Sequence, residues 1–233
     1  MAISIWFLYN TKMLNPKHKY LQIAFNRSLP EVRQMIDLLP NSDRILIEAG
    51  TPLVKRYGVK GIAFLKDCWQ KKLQASGYII ADLKCMDRGS TEVEAASRAG
   101  ASAATCLGLA PHETIIDFID KCEKAKIDSM IDMMNIQFPF EILQKLPKLP
   151  KVIVLHRGVD ENNMNREKQV PLYQINRIKG TYNVLISTAG GESIRETTSS
   201  FFNNADITVI WKQFYETPEQ TAQLAKQFLG LVK

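Results

Sequence analysis

The sequence predicts a single (β/α)8 barrel, a TIM barrel, and three observations predict it. Short apolar, β-branched runs recur eight times, at 20–25, 44–47, 78–80, 103–107, 129–133, 152–155, 183–187 and 207–210. Longer amphipathic segments separate them, clearest at 59–72, 91–99, 113–124 and 218–229. No linker, low-complexity stretch or short-period repeat interrupts the alternation. Strand–helix units in unbroken succession call for parallel pairing with right-handed crossovers. Eight of them in 233 residues suit a closed barrel. A doubly wound open sheet is the competing arrangement, but no G-x-G-x-x-G follows the first strand.

Taken in order, the runs end on polar residues. Leu21-Gln22-Ile23-Ala24-Phe25 leads to Asn26, and Ile45-Leu46-Ile47, opening after Asp43, leads to Glu48. Tyr78-Ile79-Ile80 runs into Ala81-Asp82-Leu83-Lys84-Cys85-Met86-Asp87-Arg88-Gly89. The run at 103–107 is followed by one that ends at Asp132 and Asn135; Val152-Ile153-Val154-Leu155 then leads to His156 and Arg157. The seventh run precedes Gly190-Gly191 and the eighth Trp211-Lys212. In such barrels chemistry sits at the carboxyl ends of the strands, where these residues gather. For the last helix, Thr217 followed by Pro218 is a start signal.

Residues 1–19 precede the barrel, which occupies 20–233. Ile3-Ser4-Ile5-Trp6-Phe7-Leu8-Tyr9 is too short to span a bilayer and lacks the basic region that precedes a signal-peptide core. An extra strand, or an extension packed on the barrel or on a partner, is expected there. Hydrophobic content of 45% and charged content of 23% are those of a soluble globular protein. The net charge of +6 suits an anionic small ligand. Lys and Arg are scattered without aromatic interleaving, which argues against nucleic acid. The four cysteines show no C-x-x-C spacing, so reduced thiols and a cytoplasmic location are expected.

Alternate residues of a strand share a face, so Asp82 and Lys84 project the same way, with Asp87 in the turn beyond. An acid–lysine–acid cluster at a strand's end is costly unless it binds something. Glu48 and Asp82 on neighbouring strands could hold Mg²⁺, which takes one or two carboxylates with water and substrate oxygens. The plainer alternative pairs Glu48 with Lys84. Lys84, flanked by acids, is expected to stay protonated and to orient substrate hydroxyls or stabilise an enolate; a structural salt-bridge network is the alternative. His156, beside the carboxylates, suits general acid–base work, whereas His18 and His112 have no polar cluster beside them. Gly190-Gly191-Glu192-Ser193 could open a phosphate nest, although a Gly-Gly turn alone is weak evidence.

These motifs resemble the orotidine 5′-monophosphate decarboxylase suprafamily. The resemblance rests on Leu21 through Asn26, Glu48-Ala49-Gly50-Thr51-Pro52-Leu53, Ala81-Asp82-Leu83-Lys84 through Asp87-Arg88-Gly89, Glu92-Val93-Glu94 and Ala99-Gly100-Ala101. Leu155-His156-Arg157-Gly158-Val159-Asp160 and Ser187-Thr188-Ala189-Gly190-Gly191 continue it in the family's order. The Glu-x-Gly-Thr-Pro motif and the strand-end histidine resemble its metal-dependent branch, which contains 3-hexulose-6-phosphate synthase and 3-keto-L-gulonate 6-phosphate decarboxylase. The resemblance implies Mg²⁺ on Glu48 and Asp82 and a 1,2-enediolate. It implies Asp82, Lys84, Asp87 and His156 as catalytic residues, and a homodimer in which Asp87 reaches the neighbouring site. Asn26, Asp132, Arg157, Gly190, Gly191, Ser193 and Lys212 are then expected to bind a small phosphorylated sugar.

Val159 stands where the decarboxylases carry an extra arginine, so the resemblance is nearer the synthase: formaldehyde plus ribulose 5-phosphate giving a 3-hexulose 6-phosphate. Three positions depart from the family pattern. Asn26 replaces an aspartate, Trp211-Lys212 replaces Gly-Arg, and Glu192 follows the Gly-Gly pair in place of an apolar residue. A decarboxylase of a 3-keto sugar acid phosphate, or a non-catalytic sugar-phosphate binder, are the alternatives these positions leave open.

Overall fold

Side chains alternating between two apolar surroundings organise the chain. In the computed structural model, which describes residues 13–165, 167, 169–190, 193–216 and 220–231, eight parallel strands close on themselves in chain order, the last hydrogen-bonded to the first. They are β1 (Tyr20–Phe25), β2 (Ile45–Ala49), β3 (Ile79–Cys85), β4 (Ala103–Leu107), β5 (Asp128–Asp132), β6 (Val152–His156), β7 (Leu185–Ala189) and β8 (Ile207–Ile210). The intervening helices are α1 (Leu29–Leu38), α2 (Thr51–Tyr57), α3 (Val59–Leu73), α4 (Gly89–Arg98), α5 (His112–Ala125), α6 (Pro139–Leu143), α7 (Val159–Met164), α8 (Tyr173–Thr181), α9 (Ile194–Phe202), α10 (Lys212–Glu216) and α11 (Thr221–Leu231). None of these helices is long and apolar enough to cross a membrane.

Because both faces of each strand are covered, the strands are buried along nearly their whole length. One set of residues, including Ile23, Ile47, Ile131 and Ile186, packs against helix residues such as Trp69, Phe118 and Phe228. The other set, including Tyr20, Ala24, Leu46, Ile80, Met130 and Val154, fills the barrel interior.

β1, β4 and β8 have the bounds expected from sequence, and β2, β5 and β6 differ by a residue or two. β7 lies two residues further on than 183–187. β3 departs most. It runs through Asp82 and Lys84 to Cys85, so these two charges are part of the strand and do not follow it, while Asp87 lies beyond. The pairing with β4 is irregular between Ala81 and Cys85, and Lys84 takes a left-handed φ of 45°. Ion pairing inside the barrel holds that bulge. The proposed start of the last helix at Pro218, and the segment at 3–9, lie outside the described residues.

The amino-terminal mouth of the barrel is closed by packing and by two acids. Leu14, from the segment before β1, is buried with Tyr20 and Tyr78, and its N–H donates to Asp128 Oδ2 at 3.2 Å. The Tyr78 hydroxyl donates to the same oxygen at 2.7 Å. Asp206 is met by Lys19 at 3.1 Å and Lys179 at 2.8 Å, and accepts from Ile186 N–H at 2.8 Å.

Burial pushes the Asp128 carboxyl above its ordinary range, against the lowering by Tyr78, Leu14 and Lys151. A carboxyl raised in the folded state stabilises below its unfolded pKa, and that contribution fades as pH rises through the folded value. Asp128→Asn removes this titration and keeps an acceptor for Tyr78 and Leu14. The variant is expected to gain stability relative to the parent from mildly acid to mildly alkaline pH, as measured by urea unfolding at both. A gap that does not change with pH would count against a raised Asp128.

Candidate functional site

In the carboxyl-terminal half of the barrel, polar side chains break the apolar filling. There a cavity of about 210 Å³ is lined by Gln22, Asn26, Glu48, Thr51, Asp82, Lys84, Thr105, Asp132, His156, Arg157, Gly190 and Trp211, among others. Every strand contributes to it, either within the strand or in the residue or two beyond.

Lys84 is the hub. Its ammonium contacts Asp82 Oδ2 at 2.8 Å and Oδ1 at 3.0 Å, and Asp132 Oδ2 at 3.5 Å. Burial pulls the lysine's pKa down, but Asp82 and Asp132 outweigh it and the net shift is upward. A fixed ammonium results, not a nucleophilic amine. Asp82 is held in turn by the Thr51 hydroxyl at 2.6 Å, Thr51 N–H at 3.2 Å and the Thr105 hydroxyl at 2.8 Å. Its burial disfavours charge, yet Lys84 and the two threonines prevail and keep it below its ordinary value. Thr105 also accepts the Lys84 N–H at 3.0 Å, which anchors the bulge to β4.

His156 Nδ1 lies 2.8 Å from Asp132 Oδ2. A carboxylate accepts, so Nδ1 is the donor; in a neutral imidazole Nε2 then keeps the lone pair a general base needs. Asp132 Oδ1 accepts from Met134 N–H at 2.9 Å, so this acid is itself fixed.

Glu48 accepts from Gln22 Nε2. Burial, and then the charge of Asp82, push its pKa up to about 7, only partly offset by Lys84 and Gln22. Three buried carboxylates, Glu48, Asp82 and Asp132, thus face one ammonium. When Glu48 is ionised along with Asp82 and Asp132, the acids outnumber the Lys84 ammonium by two, a surplus that a divalent cation would offset. Among the described residues no three or more His, Cys, Asp or Glu side chains form a metal-holding group. Two carboxylates with water and substrate oxygens are the donor set Mg²⁺ uses, so Glu48 and Asp82 fit it. The buried, unpartnered oxygen of Gln22 beside Glu48 adds a further hard acceptor.

The rim is built by close backbone approaches. A Cβ at Gly50 would stand 2.0 Å from Asn26 Oδ1, so glycine there leaves room for Asn26 in the cavity wall. Gly190 has a φ of 94°, and a Cβ on it would fall 2.3 Å from the Arg157 carbonyl oxygen. Arg157, 5% exposed, donates to Gly190 O at 2.8 Å and lies 3.7 Å from Glu196. Trp211 extends the inner packing into the cavity at the end of β8.

Of the residues expected from sequence, Asn26, Glu48, Asp82, Lys84, Asp132, His156, Arg157 and Gly190 come together. Three do not reach the cavity wall. Asp87 is exposed on the turn after β3, accepting Arg88 N–H at 2.8 Å. Ser193 caps α9, its hydroxyl accepting Glu196 N–H at 3.2 Å, and Lys212 begins α10. Gly191, with Glu192, lies outside the described residues. Gln22, Thr51 and Thr105 are the residues missed. For Gln22 and Thr105 the signal is a polar side chain at an inward position of an otherwise apolar strand, and for Thr51 its place in the Glu-x-Gly-Thr-Pro motif.

The family model described as orotidine 5′-phosphate decarboxylase / HUMPS matches residues 19–210. A bifunctional enzyme Fae/Hps of Methanothrix thermoacetophila is 35% identical over 216 residues, covering 92% of this chain and 53% of its own. The Fae/Hps of Archaeoglobus fulgidus is 37% identical over 207 residues, 86% of this chain and 49% of its own. The chain therefore spans about half the length of the curated relatives it matches. Among solved structures, 3-hexulose-6-phosphate synthase from Salmonella typhimurium superposes with a TM-score of 0.80 at 24% identity, over 91% of this chain and 97% of that one. KGPDC from Streptococcus mutans gives 0.73 at 18% identity, over 92% and 97%. Both have this fold. With the family's model covering every strand and Glu48, Asp82, Lys84 and His156 gathered at one cavity, the chain belongs to the orotidine 5′-phosphate decarboxylase / HUMPS family.

Proposed function

We propose that this chain is a Mg²⁺-dependent aldolase of the 3-hexulose-6-phosphate synthase type, joining formaldehyde to ribulose 5-phosphate reversibly through an enediolate. The observation that carries it is the Lys84–Asp132–His156 chain beside Glu48 and Asp82: a fixed ammonium, an oriented imidazole and a carboxylate pair on one wall. Similarity to the Fae/Hps proteins supports the same substrate class.

Glu48 and Asp82 would hold the Mg²⁺, which when bound supplies Lewis-acid polarisation of the ketone. The protein's own residues do the rest. His156 Nε2 removes a proton from C1 of ribulose 5-phosphate, and Asp132 stabilises the imidazolium that forms. Lys84 offers N–H to the negative charge that develops on the substrate oxygens. The electron pair left at C1 forms the new bond to the formaldehyde carbon. The carbonyl pair of formaldehyde moves to its oxygen, which takes the proton back from the imidazolium. Arg157 supplies a buried positive charge for the phosphate. The proposal extends to a cytoplasmic homodimer in which Asp87, exposed beyond β3, completes the partner's site.

Val159 is apolar and lines the cavity, which weighs against the decarboxylase alternative. A binding paralogue is favoured by two observations only: Asn26 has no charge to move a proton with, and Trp211 occupies the β8 side of the cavity.

With Mg²⁺, the purified protein is expected to consume ribulose 5-phosphate and formaldehyde in equal amounts. Carbon dioxide released from 3-keto-L-gulonate 6-phosphate would select the decarboxylase. Thermal stabilisation by ribulose 5-phosphate without product would select the binder. Lys84→Ala is expected to lower kcat by about 10²–10³-fold, and His156→Gln by about 10²–10⁴-fold. Steady-state assays at saturating Mg²⁺ check both, and a kcat that either variant leaves intact removes that residue from the mechanism.

A further inference from the structure

Gln22 is 3% exposed, on a strand whose other inward residues are Tyr20 and Ala24. Its Nε2 donates to Glu48 Oε2. An ionised Glu48, the form that would hold a cation, can only accept, so the amide then presents its nitrogen to Glu48 and its oxygen elsewhere. That oxygen is buried and has no hydrogen-bond partner among the described residues. A buried acceptor without a donor costs stability, and a hydrocarbon of the same shape would avoid the cost. Packing alone therefore disfavours an amide here. The same residue touches one of the two carboxylates assigned to the cation and lines the same cavity.

We propose that Gln22 is a positioning residue of the Glu48–Asp82 cation site: its Nε2–H holds the Glu48 carboxylate, and its Oε1 accepts a hydrogen bond from water carried in by the cation. The inference rests on the Mg²⁺ reading above. Mg²⁺ sheds water reluctantly, so a hydrated cation brings donors to a site whose acceptors otherwise exceed its donors. Groups that orient a ligating side chain from behind commonly set cation affinity. Gln22 does this from the strand next to the ligand's own, since β1 pairs with β2 and sets Gln22 opposite Leu46, two residues before Glu48.

The test is titration of the metal-free protein with Mn²⁺, followed by electron paramagnetic resonance of the free ion without substrate. The parent, Gln22→Met, Gln22→Leu and Glu48→Gln are compared. Gln22→Met and Gln22→Leu are expected to bind Mn²⁺ about 10–100-fold more weakly than the parent, with thermal unfolding of the metal-free forms no lower than the parent's. Should either hydrocarbon variant fail to fold, Gln22→Asn, one methylene too short to hold Glu48, is expected to show the same loss. Parent-like Mn²⁺ affinity in the Gln22 variants, with affinity lost in Glu48→Gln, overturns the role of Gln22 and leaves the cation site standing. Absence of Mn²⁺ binding by the parent overturns both.

Discussion

Charge compensation inside the barrel is the constraint on which the rest of this structure depends. An ion transferred into a protein interior costs several kcal/mol unless it is paired and hydrogen-bonded. Here an ammonium and three carboxylates sit in the upper barrel, and the local structure serves their pairing. The irregular register of β3, the left-handed Lys84 and the two threonine hydroxyls on Asp82 all bring donors to acids. Asp132 does double duty, meeting both Lys84 and His156, so the charge that fixes the ammonium also sets the imidazole tautomer.

Most of the architecture was legible because a barrel strand buried on both faces must be apolar along its length, and such runs stand out between amphipathic segments. The site was legible for a related reason: polar residues have no business at the end of a buried strand unless something meets them. β3 runs past its apolar stretch because charge does not end it: Asp82 and Lys84 compensate each other and the strand continues to Cys85. Short helices such as α2, α6 and α10 are too brief for periodicity to reveal. α1 could have been found, since Ser28 through Glu31 has the pattern of a capping box, and Glu31 does accept Ser28 N–H at 3.1 Å. Gln22 and Thr105 were hidden because a single polar residue within an apolar strand does not announce what it touches.

Asn26 and Trp211 alter the cavity in different ways. Asn26 keeps the shape of an aspartate, and the glycine at position 50 preserves its place in the wall. It changes charge and proton acceptance without changing space. Trp211 does the reverse: it brings apolar bulk from β8 to the cavity and packs on the interior cluster. The positive group described in the wall on that side is Arg157, delivered by β6 and tied to Gly190.

The two ends of the barrel show why buried acids alone do not mark a site. Asp206 at the lower mouth meets two lysines and a backbone N–H, so its charge is spent on structure. Asp128 resolves its burial differently, by a pKa raised toward the neutral form, with Tyr78 and Leu14 as donors. Neither lines the cavity in which the upper acids gather. In the upper half Glu48 is raised like Asp128, but it faces that cavity and stands beside Asp82, which remains ionised. A proton can relieve Glu48 alone. A divalent cation held as proposed would relieve Glu48 and Asp82 together. Acids gathered in one cavity, not burial as such, separate the upper end of this barrel from the lower one.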